Sequence, residues 1–329
     1  MRQALTWHTG PVAQTADAPV RLLSRSQVRS LLSWPELIEA TQQVLVALVT
    51  TEAVAAHSAE LLVPGGSLHL KSGALVEPPV LSVKANLRPD AGGAAGVVLA
   101  FDPVRFTLRA ILDSADITAM RTAALAAVAA RQLGRPGPST VAVIGVGPVG
   151  RQSLTALREV LDVTDVRLWS RHTGHAEEMA ATIDGPVSVH RSPGEAAAGA
   201  DVVVTSTPSR VPLLFPADLR PDALVLAMGA DSRGKRELGE GVLSGASVVT
   251  DIMADALSVG ECAYLPDGAD RARCVELGEL LAGRRALATG PGRTVFDSVG
   301  SAAADAAVTG LVLALAEHER VGTEFRLGS

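Results

Sequence analysis

The chain has 329 residues, 47% of them hydrophobic and 3% aromatic, with a formal net charge of −6 and a pI near 5.7. That length makes two domains sharing one site the default, built on an aliphatic, alanine-rich core. The absence of a basic block interleaved with aromatics argues against a nucleic-acid partner, and no apolar run is long enough to span a membrane.

Residues 1–20 read as a loose or strand-forming extension with no apolar core of a signal peptide, so a soluble cytoplasmic protein is expected. The stretch "SRSQVRSLLSWPELIEATQQVLVALVTTEA" has helical periodicity. Ser24 and Ser33 are candidate N-caps, each with Gln27 or Glu36 three residues on, and Pro35 falls in a first helical turn. From about 57 to 113 the pattern shortens to strands, "AELLVP", "LHLKSG", "VLSVKANL", "GVVLAFD" and "TLRAILD", as in an antiparallel sheet. From about 139 short apolar runs alternate with helix-like stretches, the pattern of a parallel α/β sheet. The cysteines, Cys262 and Cys274, have neither the number nor the spacing of a disulfide framework or a zinc site.

Within that alternation, "TVAVIGVGPVGRQSL" places Gly145, Gly147 and Gly150 as G-x-G-x-x-G between a strand and a helix, with a second strand "DVRLW" to follow. The first glycine makes the turn, the second lets backbone approach a pyrophosphate, and the third lets helix pack on strand. Pro148 and Val149 open the helix whose N-terminal N–H groups would face the anion. An acid selecting the NAD ribose is expected after the second strand; Ser170 and Arg171 stand there instead. A hydroxyl and a guanidinium suit a 2′-phosphate, so NADP(H) is favoured over NAD(H), with a solvated loop Arg171 as the alternative.

Five blocks carry a resemblance to the ornithine cyclodeaminase/mu-crystallin family: "DSADITAMRTAALAAVAARQLG", the dinucleotide turn, "GADSRGKREL", "GE" at 260–261 and "TVFDSVGSAAADAA". The resemblance runs over roughly residues 20–325. It implies a Rossmann-type parallel-sheet domain at 121–304 and a smaller α+β substrate and dimerisation domain at 1–120, joined by a C-terminal helix at 305–329, in a homodimer. It also implies that Lys84 and Arg121 bind a substrate carboxylate, with Lys84 in the catalytic set. Asp231 matches the catalytic acid/base. Thr122, Thr205, Thr207, Lys235, Ser298, Val299 and Gly300 match positions around the cofactor. Each has a bland reading beside it: Lys84 on a solvated sheet face, Arg121 on an outer helix face, Asp231 capping a turn.

Two departures stand out. The cyclodeaminases carry a further carboxylate-binding Arg before the "PGG" region; here the region reads "AAHSAELLVPGG", with His57 and no Arg between Arg29 and Arg88. Where the ornithine enzyme has an acidic residue near the substrate's side chain, this chain reads "LHLKSGA": Lys71, on the strand before Lys84, is placed to complete the substrate site, provided the register puts both on one face. Ornithine, with its cationic side chain, then fits poorly. The expected reaction is hydride transfer at Cα of a small α-amino or α-imino acid, as in a ketimine reductase or an amino acid dehydrogenase. A redox-neutral ornithine or lysine cyclodeaminase and a non-catalytic binding protein are the alternatives.

Overall fold

The computed structural model describes residues 18–55, 59–89, 93–266, 268–287 and 292–327. The chain divides into two compact units: one runs to Arg121 and resumes at Ser301, the other is Thr122–Gly300. Arg121 and residues 301–304 fall in the first unit. The extension before residue 18 and His57 lie outside the described residues.

The first unit is a mixed sheet with helices. Its strands are β1 (Val20–Leu23), β2 (Ala53–Ala55), β3 (Ala59–Val63), β4 (Gly66–Leu75), β5 (Val80–Pro89), β6 (Ala95–Asp102) and β7 (Thr107–Asp113). β4 to β7 form an antiparallel meander. β1 joins β7 in parallel and pairs antiparallel with a short strand, Thr323–Phe325. The helix Arg25–Leu31 opens with the expected Ser24/Gln27 capping box. Ser33 does not cap Trp34–Thr50: its hydroxyl donates to the Glu36 carboxylate at 2.5 Å instead.

The helix Ala302–Glu319 starts three residues before the expected 305, because Ser301 accepts from the Ala303 N–H. It ends at the left-handed Arg320, and the chain then turns into the last strand rather than continuing as helix to 329. Residues 302–310 are buried on every side. β4 meets the helix start so closely that a Cβ on Gly73 would lie 2.2 Å from the Ala302 carbonyl oxygen.

The second unit is a parallel sheet of β8 (Pro138–Ile144), β9 (Asp162–Trp169), β10 (Val187–Val189), β11 (Val202–Thr205), β12 (Leu224–Ala227), β13 (Ser247–Thr250), β14 (Val275–Glu276) and β15 (Thr294–Asp297). The order is β10-β9-β8-β11-β12-β15-β13-β14. The chain leaves β8 towards β9 on one side and later returns to β11 on the other. Ligands of open α/β sheets bind at such a switch point, outside the carboxyl ends of the strands. β11 and β12 are buried throughout, as central parallel strands require.

Candidate active site

In the first unit, β4 and β5 pair with Lys71 directly opposite Lys84, so both side chains share one face of the sheet. That face is covered: Lys71 is 9% exposed and Lys84 3%. Arg121, 4% exposed, comes from the helix Ala115–Leu133. The three cations converge on a carboxylate that sequence reasoning missed. Lys84 Nζ lies 2.7 Å from each oxygen of Asp305, and Arg121 Nε lies 2.9 Å from Oδ1. Asp305 sits in the first turn of its helix, where the dipole favours an anion.

Burial, helped by the Arg121 and Lys71 charges, lowers Lys84 from its ordinary 10.5 to about 7 against the pull of Asp305. Burial would raise Asp305, but Lys84, Arg121 and Lys71 together outweigh it and hold it below the usual carboxylate range. Asp305 thus lies against Lys84 and Arg121 with the Lys71 charge nearby, a cationic setting that suits a carboxylate. Asn86, two residues beyond Lys84 on the same face, accepts from Ser114 Oγ at 2.5 Å and ties β5 to the turn before the Arg121 helix.

In the second unit, Gly145 adopts φ +102 and its N–H donates to the Trp169 carbonyl. Gly147 caps the helix Pro148–Arg158 and a Cβ there would meet nothing within 4 Å. No side chain caps that helix, and its first N–H groups have no intrahelical partner. A Cβ on Gly150 would lie 2.0 Å from the Gly145 carbonyl oxygen. The three glycines thus divide into one turn, one open approach and one close contact, and the cradle fits a pyrophosphate. Pro148 is exposed and Val149 half-buried beside it; after β9, Ser170 is half-buried and Arg171 exposed.

The strand ends beside this turn are fastened by buried carboxylates. Glu237 accepts from Thr205 Oγ1 at 2.7 Å, from the Thr207 N–H and hydroxyl at 2.6 Å each, and from the Gly229 N–H at 2.9 Å. Burial raises Glu237 even against those donors. Thr205, expected beside the cofactor, is buried, and its hydroxyl is given to Glu237. Glu261 accepts in turn from the N–H groups of Glu237 and Leu238, and burial pushes it up to about 8. Asp297, also buried, accepts from the Cys262 N–H and is pushed up to about 6. Asp251 accepts from Ser298 Oγ and the N–H groups of Val299 and Gly300, so the donors of that expected cofactor loop fix its shape.

Asp231 is half-buried just beyond β12. It accepts from Lys235 Nζ at 2.5 Å and from Ser232 Oγ at 3.0 Å, so the expected acid/base and the expected cofactor lysine are paired with each other. Thr122 is buried next to Arg121 along the helix. Cys262 and Cys274 are buried free thiols. No cluster of metal-ligating side chains occurs among the described residues, and none of their helices is long and apolar enough to cross a membrane.

One signal in the sequence does single out these positions. Lysine occurs only three times in the chain, at 71, 84 and 235, within a Lys+Arg total of 29. Surface cations are arginines almost throughout, and each lysine stands in one of the two clusters.

The family model for ornithine cyclodeaminase/mu-crystallin proteins matches residues 89–319. The chain belongs to the ornithine cyclodeaminase/mu-crystallin family. It is 36% identical over 215 residues to the ketimine reductase mu-crystallin of Mus musculus, covering 65% of this chain and 67% of that one. It is 37% identical over 241 residues to the L-lysine cyclodeaminase of Streptomyces rapamycinicus, covering 71% and 69%. Among solved structures it resembles an archaeal alanine dehydrogenase dimer with bound NAD, with a TM-score of 0.88 at 25% identity over 94% of this chain and 100% of that one. These relatives of one family carry out different reactions, so membership alone leaves the substrate to be argued from this chain's own residues.

Proposed function

We propose that the chain is a nicotinamide-dependent oxidoreductase acting at Cα of a small α-imino or α-amino acid, with NADP(H) preferred over NAD(H). The observation that carries this reading is the buried cluster of Lys71, Lys84 and Arg121 beside Asp305. Such a cluster binds the substrate's carboxylate, and two or three cations on one carboxylate fix the orientation of Cα. Lys71 adds a charge that repels a diamine side chain, which turns preference away from ornithine.

Gly145, Gly147, Pro148, Val149 and Gly150 would hold the pyrophosphate, and Ser170 and Arg171 the 2′-phosphate. When bound, the nicotinamide supplies or accepts the hydride. Asp231 exchanges a proton with the substrate nitrogen, held for that task by Lys235 and Ser232. NAD in the related alanine dehydrogenase supports nicotinamide use, without bearing on the choice between the two dinucleotides.

We also propose that the working form is a homodimer. The outer face of the first sheet exposes Leu61, Leu70, Leu87 and Val97, an apolar surface that a second copy would cover. The dimeric state of the related alanine dehydrogenase supports this.

The test offers the purified protein a panel of cyclic and acyclic α-imino acids, L-ornithine and L-lysine, following both NADPH absorbance and ammonia. Net NADPH oxidation on an imino acid is expected. Ammonia release from a diamino acid without net redox change would replace the reading with a cyclodeaminase. Binding without turnover would replace it with a carrier.

A further inference from the structure

Asp305 is the feature of the first unit that the expected chemistry does not use. It comes from 221 residues beyond Lys84 and 184 beyond Arg121, yet touches both. The groups facing Lys84 can be named element by element. β4 brings Lys71 opposite it and His69 two residues along, whose ring is engaged by Glu60 and Ser67. β6 brings Val98, which is apolar. The Ala115–Leu133 helix brings Arg121, and the Ala302–Glu319 helix brings Asp305. Against Lys84, Arg121 and Lys71, Asp305 supplies the opposing charge.

We propose that Asp305 is a positioning residue: a resident carboxylate that holds the Lys84 ammonium and the Arg121 guanidinium in place, and that shares them with the substrate's carboxylate when it arrives. This rests on the reading above that the substrate carries a carboxylate.

The consequence is a proton linkage. Burial, with the Arg121 and Lys71 charges beside it, lowers Lys84 to about 7 against the pull of Asp305. A second carboxylate beside it favours the ammonium, so binding takes up a proton from solvent onto the Lys84 amine. Removing the Asp305 charge does the reverse. Lys84 then loses its proton at lower pH, and carboxylate binding weakens at neutral pH but returns on acidification.

The three lysines make the measurement direct. Protein labelled with ¹³C-lysine gives three side-chain signals, assigned by Lys71→Arg, Lys84→Arg and Lys235→Arg. The Lys84 signal is followed against pH without ligand, with saturating pyruvate as a simple α-oxo acid, and in Asp305→Asn. Pyruvate is expected to raise the Lys84 midpoint, and Asp305→Asn to lower it, each by about one pH unit or more. In Asp305→Asn the alkaline limb of kcat/KM should move down with that midpoint, so that the loss of rate relative to wild type grows as pH rises. A merely structural Asp305 would lower the rate equally at every pH. A Lys84 midpoint that stays put in the variant, or under pyruvate, overturns the proposal. Should Asp305→Asn fail to fold, the same titration in Asp305→Glu replaces it, with a shifted Lys84 midpoint expected and an unmoved one overturning the proposal. Because the titration needs no turnover, a shifted midpoint in a protein without redox activity would uphold Asp305 and refute only the proposed reaction.

Discussion

Replacing Gly147 with alanine separates ligand binding from folding. Its φ is −68, which alanine adopts freely, and its Cβ would meet nothing within 4 Å. Alanine stiffens the unfolded chain, a gain of about 0.4–1 kcal/mol. It is also a poorer N-cap than glycine, a loss of similar size. The net change in stability should stay under about 1 kcal/mol, a melting shift below about 4 °C for a unit of this size. A dinucleotide phosphate approaching the bare helix start would meet the new methyl. Losing one charge-assisted hydrogen bond costs about 1.5–3 kcal/mol, a roughly 10- to 100-fold weaker NADPH affinity. Gly150→Ala should behave in the opposite way. Its Cβ would lie 2.0 Å from the Gly145 oxygen and 2.8 Å from Ser206 Oγ, so the fold itself must shift. Calorimetric titration with NADPH, alongside thermal unfolding, reads both quantities. The cradle reading fails if Gly147→Ala binds NADPH like wild type, or if it melts as early as Gly150→Ala.

Asp231→Asn should keep NADPH affinity and the melting temperature while turnover drops by about 10²-fold or more; a near-normal rate would reduce Asp231 to the partner of Lys235. Ser170→Asp with Arg171→Ala should invert the NADPH-to-NADH affinity ratio, and equal affinities in the wild type would refute the 2′-phosphate reading. Glu261 and Asp297 are raised from 4.5 to about 8 and from 3.8 to about 6, so the folded chain holds protons that the unfolded chain releases. Their stabilisation is complete below the ordinary values and lost as pH rises through the folded ones. Urea midpoints should therefore fall between about pH 5 and 8, and Glu261→Gln should flatten that slope. An unchanged slope would show that these carboxyls do not carry it.

Much of the second unit was legible because its chemistry is local. The glycine turn, its flanking strand and its helix lie within one stretch from Pro138 to Arg158, and each glycine has the steric role its spacing announces. Ser24 with Gln27 was equally readable, whereas Ser33 with Glu36 has the same spacing and a different bond, the hydroxyl donating to the carboxylate instead of accepting a backbone N–H. The face of Lys71 depended on register, which one residue of slip would have reversed. Asp305, Glu237, Asp251 and Glu261 were not legible as site residues. Their partners are backbone N–H groups or cations up to 221 residues away, and no short pattern in a sequence encodes such a meeting. The bond of the Thr205 hydroxyl to a glutamate 32 residues on was unreadable for the same reason.

The first unit's interrupted path through the chain has a consequence for its birth. Lys84 and Arg121 leave the ribosome long before Asp305, and 184 residues separate Arg121 from its partner. At synthesis rates of about 5–20 residues per second, that is a delay of about 10–40 s. Through that interval the helix Ala302–Glu319 that covers β4 and β5 does not yet exist, and burying the two cations would leave them without their carboxylate. The second unit, contiguous in the chain, completes its strands first. The nascent first unit must wait half-made for its last helix, so its buried cluster of charges is the last part of that unit to close.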